Sequence, residues 1–280
     1  MARIRIEPDP GRYDVDSGLA ELLWDADHPG GVELAVNGVP QSYVDTADLT
    51  HLDYAYVQLL GDLVDLAAPA GETLTVLHLG AGACTLPRYV ATTRPGSTQL
   101  VVELDARLAE LVRRELGTTG FKLKVAEARA TVERLGDDSS DVVVSDVFAG
   151  ARIPEHVTTV EFVGQVARVL RTGGTYAANV GDGGELAFTR GQVATLLEVF
   201  PHVALLGDPG VLRGRRFGNL VLAASDLPLA EMGLRRRAAR ASGTARVVIG
   251  RELLDWTGGA AVVRDATVGA TPTPPPDLFA

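Results

Sequence analysis

Apolar positions along this chain follow two alternating rhythms. Short, nearly continuous apolar runs ("TVLHL", "QLVVE", "FKLKV", "DVVVS", "TYAANV", "HVALL" and "GNLVLAA") read as buried strands. Between them, in "RYVATTRP", "ARLAELVRREL", "ARATVERL", "VEFVGQVARVL" and "GQVATLLEVF", the pattern is helical. In "ARLAELVRREL", Leu108, Leu111 and Val112 share one face while the arginines and Glu115 lie elsewhere. This alternation predicts an α/β fold: a doubly wound, mostly parallel sheet of seven strands with helices on both faces. Only the loop "GDPGVLRGRRF" separates the last two strands, so they are expected to pair antiparallel at one edge.

The flanks read differently. Residues 1–70 form an N-terminal extension in which "GVELAVNGVPQSYV" predicts a β-hairpin and "LDYAYVQLLGDLVDLA" a helix. The α/β domain is expected over residues 71–225, a helical addition over 226–265, and an extended or disordered proline-rich tail over 266–280. An apolar fraction of 46% with 22% charged residues suits a globular chain with a substantial core. No apolar run approaches bilayer length, and the N-terminus lacks the apolar core of a signal peptide. The expectation is therefore a cytoplasmic protein without a membrane partner. The net charge of −10 weighs against nucleic-acid binding and mildly favours a cationic small substrate. A single cysteine, Cys84, excludes an internal disulfide, and the five histidines show no H-E-x-x-H or H-x-H spacing, so no metal is expected. The basic run "LRRRAAR" reads as a solvated helix face.

Candidate chemistry begins at the turn containing Gly80 and Gly82, which follows the first α/β strand and opens a helix. Glycines permit a tight path and close approach of a ligand, and amides at the helix start can donate to polar or anionic groups. The next strand ends in "VVELD", placing Glu103 about twenty residues on, where an acid can accept from both ribose hydroxyls. "VAEARA" brings Glu127 to the end of the third strand, where it could meet an adenine edge. "DVVVSDVF" brings Asp146 to the end of the fourth, in the crevice at the carboxyl ends of the strands. Thr85 stands where a dinucleotide fingerprint wants a third small residue, and the closing antiparallel strand completes a plan common to S-adenosylmethionine-dependent enzymes. These features favour a sulfonium nucleoside. An NAD-dependent oxidoreductase would need a hydride-transfer constellation that the sequence does not offer. Plainer roles stand beside each of these: helix–strand packing for the glycines, capping for Glu103 and Asp146, a core position for His78, and a small turn residue in Cys84.

In order and spacing, these motifs resemble the spermidine synthases (polyamine aminopropyltransferases) and their relatives, from about Val32 to Ser225. "AVNGVPQSY" is similar to the family's N-terminal hairpin, whose D-G-V-x-Q motif implies Gln41 as a nucleoside contact. "DYAYVQLL" is similar to its Y-x-E-M helix start, which implies Tyr56 at the substrate mouth. "HLGAGACTLPRYV" resembles the glycine-rich motif, "VVELD" the ribose-binding acid, and "DVVVSDVFAGARIPEHVTTVEFV" the stretch carrying the catalytic aspartate, aligned with Asp146. The resemblance implies a class I methyltransferase-like Rossmann fold with an N-terminal β-hairpin extension. It also implies decarboxylated S-adenosylmethionine or S-adenosylmethionine as co-substrate, an amine acceptor, no metal, and association as a homodimer. In the family's reaction a neutral amine attacks the carbon beside the sulfonium, so a carboxylate is needed to hold the amine and accept its proton.

Several family acids are replaced. The aspartate of the glycine motif falls on Ala83, the second aspartate of the D-S-x-D-P signature on Ala149, and the helix-start glutamate on Gln58; the glutamine after the fifth strand falls on Asn179. A diamine would need substitutes, for which Asp182 and Glu185, or Asp45 and Asp53, are available; Asp182 is the expected substrate contact. Two further functions remain open here. A methyltransferase could seat a methionine carboxylate beside Ala83, and a non-catalytic nucleoside-binding homologue could keep the fold alone.

Overall fold

The computed structural model describes residues 8–240 and 245–275. Residues 1–7 of the expected extension, 241–244 of the expected helical addition and 276–280 of the expected tail lie outside the described residues.

The chain opens with four antiparallel strands paired in sequence order: β1 (Gly11–Val15), β2 (Gly18–Trp24), β3 (Gly31–Val36) and β4 (Val39–Asp45). The expected hairpin is β3–β4. Its Asn37–Gly38 turn takes positive φ at both residues, the conformation that matches a tight hairpin to strand twist. Helix α1 (Ala55–Leu66) then leads into alternating elements. These are β5 (Thr75–Leu79), α2 (Thr85–Thr93), β6 (Thr98–Glu103), α3 (Ala106–Glu115), β7 (Lys122–Val125), α4 (Ala128–Arg134) and β8 (Ser140–Ser145). After them come α5 (Val160–Val169), β9 (Leu170–Asp182), α6 (Ala187–Val199), β10 (His202–Gly207), the short α7 (Pro209–Leu212) and β11 (Gly218–Ser225). Helix α8 (Glu231–Ala238), β12 (Arg246–Ile249) and α9 (Arg251–Thr257) close the order.

The large sheet runs β12-β10-β11-β9-β8-β5-β6-β7. Strands β5 to β9 pair in parallel, while β11 lies antiparallel between β9 and β10, as the short loop before it predicts. The doubly wound sheet thus carries the seven expected strands plus an eighth. That strand corrects the expected helical addition: Arg246–Ile249 pairs antiparallel with the outer edge of β10. Four apolar-rich residues are compatible with either state by pattern alone, and the open hydrogen-bonding edge of β10 selects the strand.

Successive strand residues face opposite layers. Val143 packs with Phe162 and Val166 on one side of the sheet, and Val142 and Val144 pack with Leu60, Val64 and Leu234 on the other. The N-terminal sheet is fixed to this layer through α3. Asp105 caps that helix by accepting from the Leu108 amide (2.8 Å) and also accepts from Ser17, through its amide (2.8 Å) and its hydroxyl (2.6 Å). In return Asp16 accepts from the Ala106 amide (2.8 Å). The basic run is only partly solvated, since Arg237 bridges Asp62 (3.0 Å) and Asp65 (2.9 Å) on α1. Among the described residues no helix is long and apolar enough to cross a membrane.

The segment after α9 crosses back over the loop that follows β8. Asp265 receives both arms of the Arg129 guanidinium (2.7 Å each) and the Thr159 hydroxyl (2.6 Å), and Thr271 donates to the Ile153 carbonyl (2.8 Å). The described part of the expected tail is thus a pinned, extended strap.

Arg94 organises the other end of α1. It is buried, and its guanidinium donates to the carbonyls of Asp65, Ala68, Pro69 and Glu72, each at 2.9 Å. These include carbonyls that a helix end leaves without partners. Arg94→Met is expected to destabilise the fold by about 3 kcal/mol or more, read from urea denaturation, because several buried acceptors lose their donors together.

Candidate active site

The ends of β5 and β8 meet where the strand order reverses, the place at which open α/β sheets form their ligand crevice. The Gly80 amide donates to the Val102 carbonyl (2.9 Å), and the Asp146 amide donates to the Leu79 carbonyl (2.8 Å). Gly80 has φ +87°, and a Cβ there would lie 2.1 Å from the Asp146 carbonyl oxygen, so glycine is a condition of this contact.

The N-terminal hairpin seats on the same turn. A Cβ on Gly82 would lie 2.1 Å from Ser42 Oγ; that hydroxyl accepts from the Ala83 amide (3.1 Å), and Thr85 donates to the Tyr43 carbonyl (2.9 Å). Glu103 braces the turn by accepting from the amides of Ala81 (3.1 Å) and Asp105 (3.0 Å). Desolvation pushes its carboxyl above the usual range, against the pull of those amides. Beside it in sequence Leu104 is 68% exposed. Cys84 is buried at positive φ, and burial pushes its thiol up to about 12, which makes it inert packing.

Asp146 follows directly on the end of β8. Its Oδ1 accepts from Asn179 Nδ2 (2.8 Å), and it accepts a hydrogen bond from the Tyr56 hydroxyl. Burial raises its carboxyl above the usual aspartate range, only partly countered by Asn179 and Tyr56. Asn179 is itself buried, and its Oδ1 has no partner. Asp146 and Tyr56 line a small, partly open cavity of about 40 Å³, together with Ser42, Asp53, Tyr54 and His78. His78 Nε2 lies 2.9 Å from Gln99 Oε1. The Gln99 amide nitrogen already donates to the carbonyls of Pro87 and Gly120 (3.1 Å each), so its oxygen accepts and His78 Nε2 carries the proton.

The structure therefore brings Gly80, Gly82, Glu103, Tyr56 and Asp146 together, and leaves three expected contacts outside. Gln41 reaches its own strand, donating to the Val39 carbonyl (3.4 Å): the β3–β4 register shifts here, pairing Pro40 with Ala35 and Ser42 with Leu34, and skips Gln41 while Ser42 meets the turn. Glu127 caps α4, accepting from the amides of Arg129 (2.9 Å) and Ala130 (2.6 Å), with His156 Nε2 2.9 Å away. Partial burial raises its carboxyl, and these partners more than offset that to hold it low. Asp182 is buried and accepts from the Gly183 amide and from the amide and hydroxyl of Thr189, all at 2.8 Å. Ser42 and Tyr54 were not anticipated; their one signal is adjacency to Gln41 and Tyr56. Among the described residues no group of three or more His, Cys, Asp or Glu could hold a metal.

The strand order, the antiparallel closing strand and the crevice define a methyltransferase-like α/β protein with an N-terminal antiparallel sheet. No protein-family profile matches the chain. A probable spermidine synthase from Corynebacterium glutamicum ATCC 13032 is 34% identical and superposes with a TM-score of 0.87, over 95% of this chain and 100% of that one. On this similarity the chain belongs to the spermidine synthase family. The polyamine aminopropyltransferase of Vibrio vulnificus (strain CMCP6) is 27% identical over 134 residues, 46% of this chain and 43% of that protein, so the match spans under half of that relative. A spermidine synthase solved with the transition state analogue AdoDATO shares the fold at 18% identity and a TM-score of 0.58, over 82% of this chain and 76% of that one.

His78 yields a prediction about acid. Burial pushes its imidazole down to about 4, whereas the unfolded chain protonates near the ordinary value of about 6.5. Between these values the unfolded state binds more protons, so stability falls as the pH is lowered through that window. Taking the wild type from pH 7 to pH 4.5 is expected to lose roughly 2–3 kcal/mol at this residue. Urea denaturation of His78→Asn at both pH values checks this: the variant's loss should be smaller by about that amount.

Proposed function

We propose that this protein is an aminopropyltransferase that joins an amine acceptor to the aminopropyl group of decarboxylated S-adenosylmethionine in the cytoplasm. The observation that carries the reading is the partly buried Asp146 carboxyl, raised by desolvation and held by Tyr56 and Asn179 beside the glycine turn. Displacement on carbon asks little covalent chemistry of the protein: the amine must be neutral, in line and relieved of its proton. An alkyl amine has a pKa of about 10, judged from lysine, so it arrives as a cation and an anionic partner favours its entry. Asp146 attracts that cation, and the unpartnered Asn179 oxygen supplies a second acceptor for its N–H groups. As the N–C bond forms, the C–S bond breaks, the sulfur leaves as a neutral thioether, and the amine's proton passes to Asp146. A carboxyl raised by burial is a stronger base than a solvated aspartate, which suits this step. Glu103 and the exposed Leu104 offer a hydroxyl acceptor and an apolar face for the nucleoside.

The turn itself favours the decarboxylated co-substrate over S-adenosylmethionine. A methionine carboxylate would want free amides in the turn that leads into the helix. Three are already engaged: Ala81 donates to Glu103, Ala83 to Ser42, and Cys84 to the Ala81 carbonyl (2.7 Å).

Incubation with decarboxylated S-adenosylmethionine and a panel of amines, read by mass spectrometry, is expected to yield methylthioadenosine only when an amine is present. Adenosylhomocysteine from S-adenosylmethionine in the parallel reaction would instead identify a methyltransferase. Asp146→Asn is expected to lower turnover by a factor on the order of 10²–10⁴. The same substitution removes a carboxyl whose burial opposes ionisation, so the melting temperature should hold or rise. Calorimetry alongside the rate assay separates this from simple unfolding.

A further inference from the structure

A second, larger cleft lies against another face of α1. Tyr56, Val57 and Leu60 of that helix line the cavity beside Asp146, whereas Gln58, Gly61 and Asp62 line the cleft. Its volume is about 510 Å³, inside the range of roughly 300–1,000 Å³ typical of small-molecule sites. The end of α8 and the turn after it bring Arg236, Arg237 and Arg240 together there, and Tyr89 of α2 adds an aromatic ring. The three arginines differ in what holds them. Arg237 donates through Nη1 to Asp62 (3.0 Å) and Asp65 (2.9 Å), and Tyr89 donates to the same Asp65 (2.9 Å), so this guanidinium is fixed. Arg236 and Arg240 are exposed and have no acid partner among the described residues. That is unexpected in a chain with 36 acids against 26 lysines and arginines, where neighbouring arginines do find carboxylates. Arg235 pairs with Glu231 (2.9 Å), and Arg246 with Glu252. The two acids of the cleft are already engaged: Asp62 by Arg237, and Asp48 by the Thr50 amide (3.0 Å) and hydroxyl (2.6 Å), both through one oxygen. Three arginines against two carboxylates leave the lining net positive.

We infer that this cleft is a binding site for a phosphate-bearing anion of more than one charge, an inorganic polyphosphate or a nucleoside polyphosphate. Like charges gathered without counter-ions repel one another, and an anion seated among them removes that repulsion. A guanidinium fork matches two oxygens of a phosphate, so Arg236 and Arg240 beside a fixed Arg237 hold successive phosphoryl groups where one carboxylate would satisfy only one of them. The Tyr89 hydroxyl is committed to Asp65, which leaves its ring as the surface a nucleoside would lie against. The site is independent of the transfer chemistry, and α1 is the element the cleft and the cavity beside Asp146 share.

Isothermal titration calorimetry of the full chain with inorganic pyrophosphate, ATP and citrate, at constant ionic strength, tests this assignment. Methylthioadenosine is present throughout, to keep ATP out of the nucleoside crevice. Wild type should bind pyrophosphate, ATP or both, and the double variant Arg236→Gln, Arg240→Gln should bind them about tenfold or more weakly. Neither arginine has an acid partner within the fold, so the variant should keep the wild-type melting temperature. The double variant Arg213→Gln, Arg215→Gln removes the same charge from an exposed loop outside the cleft and should bind as the wild type does. Equal affinity for pyrophosphate and ATP would identify the phosphates as the whole ligand, and tighter binding of ATP would add the nucleoside. Binding of neither, equal weakening in both double variants, or citrate held as tightly as pyrophosphate would overturn the proposal.

Discussion

A carboxylate taken out of water is disfavoured unless its surroundings replace what water gave it, and the site is organised around meeting that condition only in part. Asp146 receives one hydrogen bond from Asn179 and one from Tyr56, which leaves its carboxyl raised and able to take a proton. More donors would lower it and weaken it as a base. Fewer would leave an uncompensated charge in the core. The contacts behind Asp146 follow from this. Gly80 lets the ends of β5 and β8 touch through their backbones, and the parallel pairing of β8 with β9 carries Asn179 alongside.

Closure of the site depends on a separate unit, the N-terminal sheet. Its attachment is polar and reciprocal: Asp105 serves both its own helix and the Ser17 turn, and Asp16 serves the start of that helix. The sheet thereby holds Ser42 against the glycine turn and Tyr43 over the cavity. The strap after α9 braces the opposite side, with Asp265 joining Arg129 to Thr159 near the loop that follows Asp146. The crevice is thus framed by chain from both ends of the sequence, around a sheet whose own strand ends contribute the glycine turn and Asp146.

Much of this was legible beforehand, for identifiable reasons. Apolar runs and helical spacing record which faces are buried, so the doubly wound order and its antiparallel closing strand follow from local pattern. A glycine turn after a strand, and acids at strand ends, are positions where topology already dictates direction, which is why Gly80, Glu103 and Asp146 converge as expected. Gln41 illustrates the limit: an irregularity in the β3–β4 register skips it and sets Ser42 against the turn, and nothing local in the sequence announces that shift. The strand Arg246–Ile249 shows another, since its state is decided by the edge of β10 and not by its own four residues.

The sequence by itself determined the order of the seven core strands and the helices between them, the crevice and the acid beside it, because periodicity and strand-end position are properties of neighbouring residues. Only the tertiary structure decided which carboxylates remain available to a ligand. Asp45 is engaged by His28, Asp182 by Thr189 and Glu127 by the start of its own helix, while Asp53 faces the cavity. An aspartate reads the same in sequence whether its oxygens meet amides or solvent. The difference lies in hydrogen-bond partners that arrive from elsewhere in the fold, and those partners set both the charge a substrate meets and the proton affinity of the group that receives it.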